Sequence, residues 1–149
     1  MEKAVAEPII YIDGGFEPLP VARISPLDQG FLLGDGIFDV VSAWDSKIFM
    51  LDAHLDRFFD SMRAARLETR LTREQWVNAI VETTRRNKLS DASIRFILTR
   101  GVPDGVVADP RQIQPTEMIW AAPYIFLADD EKRATGIRIM ISSMRGFAP

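Results

Sequence analysis

Apolar and polar positions change period along this chain, and the changes predict its elements. Ile9 to Asp13 is a short β-prone run that turns at Gly14-Gly15 into a second segment, so the opening reads as a hairpin. Pro18, Pro20 and Pro26 then keep the chain extended and irregular. Past the glycine-interrupted stretch Gly30 to Gly36, the β-branched and aromatic content of Ile37 to Trp44 predicts a strand. Asp45-Ser46 turns it back through Lys47 to Leu51 as a second hairpin. From Asp52 the period becomes about 3.6. Leu55, Phe58, Phe59, Met62 and Ala65 share one stripe of a helix ending near Leu67, with Asp52 placed to cap its first turn. Thr72-Arg73-Glu74-Gln75 has the spacing of a capping box, and Trp76, Val77, Ile80 and Thr84 continue a second helix to Asn87. Ser93 to Arg100 predicts a strand ending at Gly101, and Glu117 to Tyr124 another. Between them, Val102 to Pro115 is a loop long enough to carry function. The charge run Asp129-Asp130-Glu131-Lys132-Arg133 reads as a linker, and Ile137, Ile139 and Ile141 alternate through a final strand ending at Ser143. An unpaired apolar edge there invites association, as in the first strand of a further unit.

Composition narrows the class. The chain has 149 residues, 47% of them hydrophobic, with 18 Lys plus Arg against 21 Asp plus Glu, a formal charge of −3. That is an ordinary soluble domain able to bury a core, with no charge bias toward nucleic acid or membranes. The absence of cysteine excludes disulfides, thiolate metal sites and cysteine nucleophiles, and suits a reducing compartment. His54 is the single histidine, so two-histidine zinc motifs are excluded, while an all-carboxylate magnesium site is not. The opening MEKAVAEPIIYI carries acids and no long apolar run, so neither a signal peptide nor a spanning helix is indicated and the expected location is the cytoplasm.

Few residues carry candidate chemistry. Neither the Walker string nor the dinucleotide fingerprint occurs, and Gly34-Asp35-Gly36 leads into a strand, as a tight turn or as a glycine-rich turn beside a site. Arg57 lies roughly 150° around its helix from the Leu55, Phe59 and Met62 stripe, so it cannot share that core. It is either a solvated arginine or an anion contact offered to a ligand or another domain. His54, one turn earlier, reads as a packed or capping side chain. Arg95 sits within Ile94-Arg95-Phe96-Ile97-Leu98 and must face away from Ile94 and Phe96, either toward solvent or as a carboxylate clamp. An imine-forming lysine needs a desolvated pocket. Lys3, Lys47, Lys88 and Lys132 fall in a tail, a hairpin, a helix end and the charge run, all solvent-facing.

Tyr11-Ile12-Asp13-Gly14, Ala22-Arg23-Ile24, Asp28-Gln29-Gly30-Phe31, Gly34-Asp35-Gly36-Ile37-Phe38-Asp39 and Leu51-Asp52-Ala53-His54-Leu55-Asp56-Arg57-Phe58 occur in order. Ser93-Ile94-Arg95, Thr99-Arg100-Gly101 and Pro123-Tyr124 follow. Together they resemble the N-terminal part of class IV aminotransferases, the pyridoxal-phosphate enzymes of fold type IV. This group includes branched-chain, D-amino-acid and (R)-amine transaminases and aminodeoxychorismate lyase. The resemblance implies an α+β fold: a small antiparallel sheet packed with two helices, plus the first strand of a large domain. Residues 1–127 would form the small domain, and 128–149 the interdomain linker and that strand. It also implies that Arg57 grips the phosphate of pyridoxal 5′-phosphate, that Phe38 lines the substrate pocket, and that Arg95 helps receive a substrate carboxylate. The loop from Val102 to Pro115 would close over the neighbouring active site of a homodimer.

Departures from the family pattern leave the subfamily open. Leu33 and Ser93 stand at substrate-side positions where branched-chain enzymes have tyrosines. Pro103-Asp104-Gly105-Val106-Val107 lacks the Arg-x-His trap of D-amino-acid transaminases. Asp39 to Asp45 is similar to the (R)-amine enzymes. The family's catalytic lysine lies beyond the position of Pro149, so no catalytic residue and no metal ligand is assigned within this chain. The implied activity is amino-group transfer between an amino acid or primary amine and a 2-oxo acid, by a homodimer or with a complementing C-terminal fragment. The alternatives are a truncated noncatalytic binding or dimerisation module and, within the family, a lyase acting on aminodeoxychorismate.

Overall fold

The structure, a computed structural model, describes residues 7–103, 113–124 and 130–143. Two short strands, β1 (Ile9–Ile12) and β2 (Gly15–Pro18), form the expected hairpin. Its two-residue turn places Asp13 and Gly14 at φ 49° and 94°, the left-handed pair whose twist suits adjacent antiparallel strands. A one-turn helix, α1 (Gln29–Leu33), precedes β3 (Gly36–Trp44) and its partner β4 (Lys47–Ile48). Two longer helices, α2 (Leu51–Ala65) and α3 (Arg73–Arg86), follow. Then come β5 (Ala92–Val102), β6 (Gln114–Pro123) and a short α4 (Asp130–Thr135). All strand pairs are antiparallel, and the sheet runs β2-β1-β6-β5-β3-β4.

α2 and α3 bury their stripes on one face of this sheet. Leu55, Phe58 and Met62 from α2 and Trp76 and Ile80 from α3 meet Val41, Ile94, Phe96, Leu98 and Ile119 in one core. Phe58 stacks edge-on against Phe96 at 4.8 Å and Trp76 at 5.2 Å between ring centroids, geometries that aromatic quadrupoles favour. Thr72 and Gln75 close the predicted capping box, and Asn87 ends α3. The Asn87 amide also bonds both Ile9 N–H and Ile9 C=O, tying the helix end to β1. Buried Glu117 accepts from Thr69 Oγ1 and from the Arg70 and Leu71 amides, fixing the α2–α3 connection over β6. Among the described residues no helix is long and apolar enough to cross a membrane.

Several expectations are corrected. α1 lies inside the glycine-interrupted stretch, because Asp28 Oδ1 accepts the Gly30 amide at 2.7 Å and Gly34 closes the turn at φ 69°. Met50, not Asp52, is the N-cap of α2, and it makes no side-chain cap bond; Asp52 lies in the first turn, where its charge complements the helix dipole. The return strand stops at Ile48, because Leu51 already starts α2. Gly101 does not end β5. It sits at φ 90° in an irregularity between Thr99 and Val102, with room for no Cβ beside Gln114 C=O, and the strand resumes as Val102 pairs with Gln114. The expected loop is shorter accordingly, and its centre, residues 104–112, lies outside the described residues. The charge run contributes its residues 130–133 to α4, which ends before Gly136 at φ 85°. Residues 137–143 are exposed and form no strand: alternation supplies an apolar face, but a strand also needs a neighbour's ladder.

Candidate functional site

The period of β3 assigns its side chains. Ile37, Asp39, Val41 and Ala43 face the helices; Phe38, Val40 and Ser42 face the opposite, open side. Asp39 is therefore a carboxylate at a core position, only 5% exposed. Both its oxygens are engaged. Arg57 reaches down from α2 to donate Nε to Oδ2 and Nη2 to Oδ1, each at 2.8 Å, a bidentate fork. The Val40 amide donates to Oδ1 at 2.7 Å, and His54 Nδ1 lies 2.9 Å from the same oxygen. Because an ionised carboxylate only accepts, the Nδ1–H tautomer of His54 is assigned from its partner. Burial pushes the Asp39 carboxyl up, but the bonds from Arg57, His54 and Val40 and the charge of Arg57 outweigh it and hold it below the usual carboxylate range. The bond and charge of Asp39 raise Arg57 in turn.

Arg57 thus leaves its own helix's core as its wheel position requires, and its side chain stays 64% exposed. Among the described residues no partner meets its Nη1. The guanidinium has one edge fixed and one edge offered outward, which suits an oxyanion such as a phosphate. Among the described residues, Lys47, Lys88 and Lys132 are all exposed.

On the open face, Phe38 is 65% exposed, and the Arg95 guanidinium carbon stands 5.3 Å from the centre of its ring. Arg95 faces away from buried Ile94 and Phe96 as expected. Ser93 is next on that face, paired with Ser42 and Ala122. Leu33 ends α1 and is 73% exposed. α1 is tied to the other end of β5, where Thr99 Oγ1 and Thr116 Oγ1 both donate to Asp28 Oδ2. Thr99 and Ser93 are six residues apart on β5, about 20 Å. The structure therefore groups Phe38 with Arg95, and sets Leu33 and Ser93 toward opposite ends of the same face.

Phe38 and Arg57 approach from opposite faces of the sheet, yet both border one edge. β4 pairs only with Ala43 and Trp44, so among the described residues β3 from Gly36 to Ser42 has a strand on one side only. A ligand lying along that edge is within reach of both faces. A separate cavity of about 640 Å³ at the C-terminal end of α2, lined by Asp35, Arg66, Arg70 and Arg100 among others, contains none of these residues.

Two members of the cluster have roles that the sequence expectations do not include. Asp39 carries a sequence signal all the same, a carboxylate at the core parity of an apolar strand, where an unpaired charge is rarely tolerated. His54 does not cap its helix but braces Asp39.

The chain is similar to known proteins. A family model described as amino-transferase class IV matches residues 36–147. A putative branched-chain-amino-acid aminotransferase of Methanocaldococcus jannaschii is 39% identical over 137 residues, covering 91% of this chain and 46% of that protein. A D-alanine aminotransferase of Staphylococcus haemolyticus is 30% identical over 122 residues, covering 81% and 43%. A solved branched-chain amino acid aminotransferase of T.th., crystallised with pyridoxamine 5′-phosphate, superposes with a TM-score of 0.74 at 25% identity, over 85% of this chain and 43% of that one. The chain spans about half the length of the curated relatives it matches. With a family match from the start of β3 through α4, this chain belongs to the class IV aminotransferases.

Proposed function

We propose that this chain is the N-terminal part of a pyridoxal-phosphate-dependent aminotransferase that moves an amino group between an amino acid or primary amine and a 2-oxo acid. The observation that carries this is the Asp39-held guanidinium of Arg57 on one face of β3, with Phe38 and Arg95 on the other, at an edge both can reach. Arg57 would hold the cofactor phosphate. Phe38 would wall the substrate pocket, Arg95 would receive a substrate carboxylate, and Leu33 and Ser93 would border that pocket from its two ends. When bound, pyridoxal phosphate supplies an electron-withdrawing ring that stabilises charge on the substrate carbon being deprotonated. The imine-forming lysine would come from residues beyond Pro149, with residues 1–127 as the small domain and 128–149 leading into a larger one. Branched-chain amino acids and D-alanine, named in the relatives, are the first substrates to try. A homodimer, or pairing with a C-terminal fragment, would complete the site.

A second reading, a noncatalytic binding or dimerisation module, is favoured by one observation: every described lysine is exposed. Reductive trapping separates the two. After incubation with pyridoxal phosphate and borohydride, intact-mass spectrometry should find the reduced adduct on a polypeptide that extends or complements this chain. A lone 149-residue species without adduct, and without transaminase activity, would overturn catalysis and leave the module.

A further inference from the structure

We infer, building on the proposed role of Arg57 as phosphate contact, that Asp39 is a positioning residue that sets the orientation of Arg57 toward the phosphate, with His54 bracing Asp39. Two features set this pair apart from a surface ion pair. Asp39 is buried and projects from a strand, so its carboxylate has little freedom, whereas Arg57 is mostly exposed and would otherwise sample many rotamers. The bidentate fork consumes Nε and Nη2, leaving Nη1 as the outward donor. Placing an acid beside an anion site normally weakens it. Here Val40 N–H, His54 Nδ1–H and two Arg57 groups share the two oxygens, so the carboxylate's acceptor capacity is spent on the protein and its field toward an incoming anion is damped. His54 is one turn from Arg57 on α2, which lets one carboxylate hold both side chains.

Nuclear magnetic resonance of the Arg57 side chain, titrated with inorganic phosphate, tests this without relying on activity. In the unaltered protein, rotation of the Arg57 guanidinium should be hindered and its Nε–Hε signal should shift on adding phosphate. Asp39→Asn should release the rotation and weaken phosphate binding about tenfold, while Asp39→Glu restores most of both. Binding of pyridoxal, which lacks the phosphate, should not change in either variant. Free rotation of Arg57 in the unaltered protein, or phosphate affinity unchanged or raised in a folded Asp39→Asn variant, overturns the positioning role. The rotation measurement needs no variant and stands even if Asp39→Asn fails to fold. Arg57→Ala distinguishes the underlying reading: if it leaves phosphate affinity intact, Arg57 is not the contact and both statements fall; if affinity is lost with Arg57→Ala but kept with Asp39→Asn, only the positioning role falls.

Discussion

Phe38 and Asp39 are consecutive on β3 and face opposite sides of the sheet, one meeting Arg95 and the other Arg57. In the proposed site, strand alternation would therefore put substrate contacts on one side and the phosphate contact on the other side of a single backbone. Substitutions on the two sides should separate in their effects. In the complete or complemented enzyme, Phe38→Ala should raise KM for the amino donor about tenfold without changing affinity for inorganic phosphate, because the apolar wall and the Arg95 ring contact it removes both lie on the face away from Arg57. Arg57→Ala should do the reverse. Steady-state kinetics with a phosphate-binding titration on both variants check this, and parallel losses on both axes would contradict the division.

Asp28 anchors α1 to the sheet. Its side chain is fully buried, one oxygen accepting the Gly30 amide and the other the hydroxyls of Thr99 and Thr116. Asp28→Ala strands those donors, Thr116 among them buried, and the expected cost is about 2 kcal/mol in urea unfolding. Amides of Gln29–Leu33 should also exchange with solvent faster, since α1 is a single turn with exposed Phe31, Leu32 and Leu33 and little else to hold it. An unchanged midpoint with unchanged exchange would mean the anchor lies elsewhere.

The legible part of this fold is the part governed by period. Leu55, Phe58 and Met62 are buried where a 3.6-residue stripe places them, and the Thr72 capping box forms because both its side chains are local to it. α1 is hidden in the sequence because its cap, Asp28, gains much of its value from Thr99 and Thr116, distant residues that no local pattern reveals. Arg57 can be singled out from its wheel position alone. Its pairing with Asp39 cannot, because Asp39 lies 18 residues earlier on another element and the two meet only once α2 packs on β3. Residues 137–143 show the converse: alternation alone predicts a strand, and without a neighbouring ladder none forms in this chain.

Gly101 should tolerate no side chain. It lies at φ 90°, and an added Cβ would overlap the Gln114 carbonyl oxygen, a backbone atom that cannot rotate aside. Gly101→Ala should therefore cost about 3 kcal/mol or more and disturb the Val102–Gln114 pairing that brings β5 and β6 to the mouth of their connection. Chemical denaturation measures the first effect. Amide shifts of Thr99, Val102 and Gln114 report the second, and native-like shifts with native stability would refute the steric account.

Acid should dismantle two carboxylate clusters. Hydrogen bonds from Arg85 and then Arg86 lower Glu82 from 4.5 to about 2. Asp39 is also held below its ordinary 3.8, burial opposing the shift and the bonds from Arg57, His54 and Val40 prevailing. A carboxyl depressed in the folded state contributes stability that is fully present above its unfolded value and is lost as pH falls through the folded one. Both contributions should thus be complete at neutral pH; that of Glu82 should be lost between 4.5 and about 2, and that of Asp39 as pH falls below its ordinary 3.8. Salt separates them. The Glu82 pairs lie among exposed side chains, so ionic strength should move that carboxyl back toward 4.5, whereas buried Asp39 should barely respond. Carboxyl carbon shifts followed across the acid range, from about pH 6 to about pH 1.5, at low and high salt read each group directly. Equal salt sensitivity at the two sites would mean that Asp39 is more open to solvent than its strand position implies.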